Sequence, residues 1–280
     1  MLGAIIGDIV GSRFEFIENK RSKDFTLFTE ICKPTDDSFM TLAIAKALIL
    51  AKNDKNMLKE IVVECMQNVA KAHKNTGWGM HFYRFLFSEK RPKPYNSFGN
   101  GAGMRVSPVG WVAESEEEVK ILSKIVTEVS HNHPEGIKGA EAVAMGVYLA
   151  RIGKDKAYIR AKLQEYYPQL ADKNFTIENI YGNYGYDDKG AWVTCQGSIP
   201  QAIVAFLDST SFEDAVRNAV YIGGDSDTIG AMAGSIAEAY YGVPIEMENK
   251  ALEYLTDDLK SIYFAFGTIK KERIDKKLQI

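Results

Sequence analysis

An excess of positive charge is missing from this 280-residue sequence: 34 Lys and Arg stand against 37 Asp and Glu, a formal net charge of −3. With no basic field to hold a phosphate backbone, nucleic-acid binding is not expected. Cysteine is scarce as well. Cys32, Cys65 and Cys195 are odd in number, widely spaced and free of any Cys-x-x-Cys pair. That excludes a disulfide framework and a thiolate zinc site, and points to reduced thiols in the cytoplasm. Long apolar runs are missing too. In Met1-Leu-Gly-Ala-Ile-Ile-Gly-Asp8 the acid interrupts the apolar stretch before it reaches the length of a signal peptide or a membrane span. Neither secretion nor a membrane partner is expected. Internal repeats, low-complexity tracts and long Pro/Gly/Ser linkers are absent, so one domain over residues 1–280, working as a monomer, is the expected organisation.

Strand-like alternation is rare, whereas three- and four-residue apolar spacing recurs through most long segments. It predicts helices over Thr41–Ala51 and Met57–Ala72, joined by a Lys/Asn-rich turn. Ser115 followed by Glu118 has the form of a capping box and starts a helix running to about Val129. Pro134 suits the first turn of the next, with its body over Gly139–Ile152. Lys154–Tyr166, Ser198–Leu207, Phe212–Ala219, Thr228–Tyr241 and Asn249–Phe266 complete the set, with Gly242-Val-Pro244 as a stop signal. The fold class is therefore all-α. The least regular stretches are 12–34, 87–108 and 172–195, where substrate contacts are expected.

Two short acidic motifs carry the chemistry. Thr35-Asp36-Asp37-Ser38 precedes a helix expected to start near Phe39, and Gly223-Gly224-Asp225-Ser226-Asp227-Thr228 precedes another. Read singly, each is a helix cap whose extra carboxylate favours the positive dipole end, worth about 1 kcal/mol. Read together, they stack more negative charge than capping requires, and a divalent cation would relieve the repulsion if the fold brings them close. Carboxylate and hydroxyl oxygens are hard ligands suited to magnesium or manganese; neither motif holds the His or Cys of a zinc or copper site. Two such ions could bind the vicinal hydroxyls of a sugar and orient a water.

Two further segments stand out. Ser97-Phe98-Gly99-Asn100-Gly101 is a turn whose backbone N–H groups could approach phosphate oxygens. It is neither a Walker sequence nor a dinucleotide fingerprint, and Asn-Gly runs are mostly turns. Ser130-His131-Asn132-His133-Pro134 offers two histidines one residue apart, read either as a chelating pair or as the entry to the helix at Pro134. The aromatic stretch from Tyr181 to Trp192, with Tyr184 and Tyr186, has no assigned role.

Four blocks in a fixed order carry a resemblance: Gly7-Asp8-Ile-Val-Gly11-Ser12-Arg-Phe-Glu15, then Thr35-Asp36-Asp37-Ser38, then Gly99-Asn100-Gly101-Ala102-Gly103-Met104-Arg105-Val106, and Gly224-Asp225-Ser226-Asp227-Thr228. The chain resembles the ADP-ribosylglycohydrolase family over nearly its whole length. The resemblance implies an orthogonal helical bundle in which the first and last blocks meet across a binuclear magnesium site. Thr35, Asp36 and Asp37 would form one half of the metal shell, and Asp225, Asp227 and Thr228 the other. Glu15 would lie near the anomeric carbon as acid/base or charge stabiliser, with Asp36 and Asp225 keeping the ions in register. Ser97, Phe98, Gly99, Asn100 and Gly101 would contact ADP-ribose, Phe98 beside the adenosine half, and His131 would touch substrate; His133 would not. The implied partner is an ADP-ribosylated protein or small molecule, cleaved at the distal ribose. Ser38 and Ser226 stand where many relatives carry threonine, and the short segment between Glu15 and Thr35 bears on which group is admitted. A binding module for ADP-ribose without catalysis is the alternative; a structural protein would have no need of both acidic motifs.

Overall fold

The computed structural model describes residues 1–15, 22–52, 54–180 and 191–277, with no strand among them. In chain order the α-helices are α1 (Leu2–Gly11), α2 (Asp36–Ala51), α3 (Lys55–Ala72), α4 (Met80–Leu86), α5 (Gly101–Met104), α6 (Ser107–Val112), α7 (Glu116–Thr127), α8 (Pro134–Arg151), α9 (Lys156–Leu163), α10 (Ile177–Ile180), α11 (Cys195–Leu207), α12 (Phe212–Ile222), α13 (Ser226–Tyr241), α14 (Ile245–Glu253) and α15 (Asp257–Lys277). Tyr181, Tyr184 and Tyr186 lie outside the described residues.

The architecture is organised around α1 and α13. Every residue of α1 is buried, including Asp8, and α13 is buried from Ser226 to Glu238. The two helices lie against each other along their length, and α8, α11 and α12 pack around α13 while α2 joins α1 to α3 and α15. The close approach has a sequence cause. Gly3, Gly7 and Gly11 recur every fourth residue on one face of α1, opposite Gly234, Gly230 and Ser226 on α13. A Cβ at Gly7 would be built into the Gly230 carbonyl, and one at Gly3 into that of Gly234. At the far end of the pair, buried Glu238 accepts from Gly3 N–H at 2.7 Å and from Lys270 Nζ at 2.5 Å, which ties α1, α13 and α15 together.

This contact predicts a large effect. Gly7→Ala should force the two backbones apart and lower unfolding free energy by about 3 kcal/mol or more. Gly267→Ala, in the middle of α15 with nothing near the added methyl, should be neutral or stabilising by up to about 1 kcal/mol. Urea midpoints of the two variants check the contrast; equal midpoints would contradict the packing.

Helix starts follow the expected chemistry, with instructive differences. The Ser115 side chain accepts from Glu118 N–H at 3.1 Å, but the Glu118 carboxylate reaches Glu114 N–H at 2.8 Å instead of that of Ser115. α2 begins at Asp36, three residues before the expected start, because Thr35 caps it and brings both aspartates into the first turn. The predicted helix over Asn249–Phe266 is two helices, divided where Thr256 and Asp258 restart the chain at α15. Sequence spacing did not mark α1 or α4. Apart from Asp8, α1 is made of apolar residues and glycines and is buried on all sides, so it has no polar face against which a period could be read.

Candidate active site

Three helices that are distant in sequence place six carboxyl groups together: Asp8 from α1, Glu15 just beyond it, Asp36 and Asp37 from the first turn of α2, and Asp225 and Asp227 at the start of α13. Ligand atoms of Asp8, Asp37 and Asp227 lie within 4.8 Å of one another, and so do those of Glu15, Asp225 and Asp227. The two acidic motifs therefore converge on one centre, and Asp227 belongs to both groups. Asp36 belongs to neither; it faces the cavity beside them.

Local backbone chemistry aims these side chains. Gly223 and Gly224 both take positive φ, +86° and +75°, turning the chain sharply from α12 into α13. The Ser226 hydroxyl donates to Phe14 O at 3.3 Å, which fixes the start of α13 against the segment carrying Glu15. On the other side, Asp8 accepts from Thr35 N–H at 2.9 Å, from the Thr35 hydroxyl at 2.7 Å, from Ser38 N–H at 3.1 Å, and from the Ser38 hydroxyl. Asp8 thus locks α1 to the N-terminus of α2. Asp8 stands in the first of the four blocks but is not among the expected metal or catalytic residues; its interruption of an apolar run is the signal that could have marked it.

The centre is electrostatically unsatisfied. Burial comes first in raising every one of these carboxyls: Asp8 to about 6, Glu15 to about 7, Asp36 to about 8 and Asp225 to about 6, with Asp37 and Asp227 well above the usual range. Repulsion from Asp227 and Asp8 adds to the shifts at Glu15, Asp36 and Asp37, and Lys33 opposes it at Glu15. Hydrogen bonds from Ser38 and Thr35 moderate Asp8. The Thr228 hydroxyl donates to Asp37 Oδ2 at 3.2 Å and Thr228 N–H to Asp227 Oδ1 at 2.9 Å, yet Asp37 Oδ1 is buried with no partner. Such an oxygen is costly unless something positive meets it.

A cleft of about 660 Å³ opens on this centre, and Glu15, Asp36, Asp37, Asp225, Asp227 and Thr228 line one end of it. Thr35 lies behind, facing a second cavity. Ser97, Phe98, Gly99, Asn100, Gly101 and His131 line the rest, together with Met80, Phe82, Tyr95, Met104 and Val193, which the sequence did not single out. Phe98 is 42% exposed, its ring 5.1 Å from that of His133. Asn100 is not free: its side-chain amide donates to Asp225 Oδ2 at 2.6 Å, joining the glycine block to the acidic centre.

Two N–H groups of the glycine segment already have partners within the fold. Asn100 N–H is taken by Val193 O at 2.9 Å and Gly99 N–H by the Ser97 hydroxyl at 3.2 Å, while Cys195 N–H donates to Phe98 O. The segment is pinned as one side of an isolated antiparallel bridge, Gly99 to Thr194, because these backbone groups are partly enclosed and must find partners within the fold.

His131 and His133 separate cleanly. His133 caps α8, its Nδ1 accepting from Glu135 N–H at 3.1 Å, as helix entry predicts. His131 is buried, and Arg105 sits behind it. Arg105 Nη2 donates to Ser130 Oγ at 2.8 Å, leaving the Ser130 hydroxyl to donate to His131 Nδ1 at 2.8 Å. Burial and the Arg105 charge hold the imidazole pKa well below its usual value. The neutral ring with an accepting Nδ1 carries its proton on Nε2, the nitrogen that faces Gly99 and Gly101. His131 is therefore a hydrogen-bond donor at the wall of the cleft.

Comparison with known proteins supplies the remaining findings. The ADP-ribosylglycohydrolase family model matches residues 1–266. Human ADP-ribosylhydrolase ARH3 is 24% identical, over 87% of this chain and 84% of its own length. The ADP-ribosyl-[dinitrogen reductase] glycohydrolase of Rhodospirillum rubrum is 24% identical, over 86% and 84%. Among solved structures, an ADP-ribosylglycohydrolase-related protein complex superposes with a TM-score of 0.66 at 21% identity, covering 96% of this chain and 97% of the other. The all-α fold is shared.

Proposed function

On the premise that this chain belongs to the ADP-ribosylglycohydrolase family, we propose that its acidic centre holds two divalent cations, magnesium or manganese, and uses them to release ADP-ribose from a protein side chain or small-molecule acceptor. The chain is an ADP-ribosyl glycohydrolase, which cleaves the glycosidic bond of ADP-ribose. The observation that best supports a cation site is the partnerless, buried Asp37 Oδ1 among carboxyls whose charges are all disfavoured. The donor set agrees: four carboxyls and two threonine hydroxyls, all oxygen, suit a hard cation.

Thr35, Asp36 and Asp37 would hold the ions from α2, and Asp225, Asp227 and Thr228 from α13. Bound there, they supply charge neutralisation and a template for a ribose diol and a water. The residues of the chain do the rest. Asp8 keeps Thr35 and the α2 terminus in place through its accepted hydrogen bonds. Asn100 orients Asp225. Glu15, half-buried where two cavities meet, takes a proton from the attacking water or steadies the positive charge that develops at the anomeric carbon. In the reaction the water oxygen bonds to that carbon; the bond to the acceptor breaks with its electron pair going to the acceptor, which gains a proton.

ADP-ribose would lie along the larger cleft, its adenosine half on exposed Phe98 and a polar edge at His131 Nε2–H. Phe98→Ala should weaken ADP-ribose binding by about 1–3 kcal/mol, the value of one aromatic stacking platform, measured by titration calorimetry. An unchanged affinity would remove Phe98 from the binding surface. One domain working as a monomer in the cytoplasm is the reading that the continuous buried core of the described residues and the three free cysteines support; no described helix is long and apolar enough to cross a membrane.

The deciding assay is release of free ADP-ribose from arginine-linked and serine-linked conjugates, in magnesium and in EDTA. Magnesium-dependent release supports the hydrolase; ADP-ribose binding without release from any conjugate would instead indicate a binding module.

A further inference from the structure

Glu15 stands in a turn just beyond α1, and among the described residues no hydrogen bond or ion pair reaches its carboxyl. Its direction is therefore inherited from the backbone at Phe14, which is fastened from three sides. Phe14 N–H donates to Gly11 O at 2.8 Å, Phe14 O accepts from the Ser226 hydroxyl at 3.3 Å, and the Phe14 ring meets the Phe25 ring edge-on at 4.9 Å. The first two contacts tie Glu15 to α1 and α13. The third reaches a different part of the chain.

Phe25 belongs to the segment that returns to Thr35, and α12 fastens that segment. Arg217, on α12, donates from Nη1 to Lys23 O at 2.6 Å and to Phe25 O at 2.8 Å, and its guanidinium lies 5.0 Å over the Phe25 ring. Glu213 Oε1 accepts from Arg217 Nε at 2.8 Å and lies 2.7 Å from Nη2, which orients the guanidinium and offsets its charge. Arg13 closes the cluster: its Nη2 donates to Thr26 O, and its guanidinium lies 4.2 Å over Phe14 and 5.8 Å over Phe25. A planar fork can meet two carbonyls and a ring face at once, which a single ammonium cannot. Neither arginine and neither phenylalanine lines the two cavities at the acidic centre.

We propose that Arg217 and Phe25 are positioning residues for Glu15: the Arg217 fork fixes the backbone at 23–25, Phe25 fixes Phe14, and Phe14 aims the Glu15 carboxyl at the centre. The assignment rests on the hydrolase reading above and adds to it two residues outside the cleft. Because neither residue lines the cleft, substrate binding should be spared while the reacting step suffers. A displacement of about 1 Å at a reacting group costs on the order of a hundredfold in rate.

The test measures kcat and KM for ADP-ribose release in magnesium, on whichever of an arginine-linked and a serine-linked peptide wild type cleaves faster. Phe25→Ala and Arg217→Gln should each lower kcat about 10–100-fold, with KM and calorimetric ADP-ribose affinity within about twofold of wild type. Phe25→Tyr, which keeps the ring, should lose less than about threefold. In a Glu15→Gln background neither change should lower kcat by more than about twofold, because the group they aim is already gone. In EDTA the Phe14 amide hydrogen should exchange faster in both variants than in wild type, a readout independent of cations and turnover. If Phe25→Ala does not fold, Arg217→Gln, at a site 23% exposed, decides. Wild-type kcat in the folded variants, a kcat loss of equal size in both backgrounds, a loss confined to KM, or unchanged Phe14 exchange overturns the positioning assignment and leaves the hydrolase intact. ADP-ribose binding with no release from either peptide overturns the hydrolase reading, and the positioning assignment with it.

Discussion

Asp37→Ala and Asp227→Ala should each reduce magnesium-dependent ADP-ribose release on the order of a thousandfold or more, with helix content unchanged. That exceeds the roughly 10–100-fold typical of residues that only support a metal ligand. Asp227 is the residue shared by both carboxyl groups of the centre, and Asp37 carries the oxygen without a partner. Asp8→Asn should fall in the smaller range, because Asp8 acts on the site by holding Thr35 and Ser38. The apo proteins should show the opposite order of stability. Burial and mutual repulsion disfavour the Asp227 charge, so in EDTA at pH 8 Asp227→Asn should melt above wild type and should not gain stability from added magnesium. Near-normal turnover in either alanine variant would sink the two-cation mechanism.

Thermal stability without divalent cations should depend steeply on pH in the direction opposite to an ordinary carboxylate-stabilised protein. The folded-state values for Asp8 and Asp225 are about 6, for Glu15 about 7 and for Asp36 about 8. Unfolded carboxyls titrate near ~4. These groups bind protons more tightly when folded, so their contribution is most favourable below the unfolded value. It is lost as pH rises from about 4, and the loss is complete once the highest of these folded values, about 8, is passed. Cations compete with those protons. A cation at about 100 times its dissociation constant should therefore raise Tm by roughly 5–10 °C at pH 8 and by little at pH 5. Melting curves from pH 5 to 9, with magnesium and with EDTA, read this directly. A flat EDTA profile, or an equal magnesium gain at pH 5 and 8, would contradict the account of the centre.

Much of the molecule was legible along the chain because its causes are local. Thr35, Ser115, His133 and Ser211 each accept a hydrogen bond from a backbone N–H two or three residues onward, and such short-range chemistry is written in nearby letters. The acidic motifs were legible for the same reason, as more negative charge than a cap requires. Oxygen-only donors, scattered cysteines and balanced charge bounded the chemistry before any fold was known.

Other features depended on partners far away in sequence. Asp8 reads as an interruption in an apolar run until its four donors arrive from Thr35 and Ser38. The glycines of α1 read as weak helix formers until Gly230 and Gly234 are laid against them. Asn100 joins Asp225 across 125 positions, and two of the N–H groups in the glycine segment, those of Gly99 and Asn100, are taken by Ser97 and Val193. The sequence alone therefore determined the helical class, the cap-bearing helix starts and the hard-ligand chemistry, since each follows from residues within a turn or two of one another. The tertiary structure decided which carboxylates meet, which donors are already spent and that two cavities reach the centre, because those depend on how closely α1 and α13 pack and on burial, which no local spacing encodes.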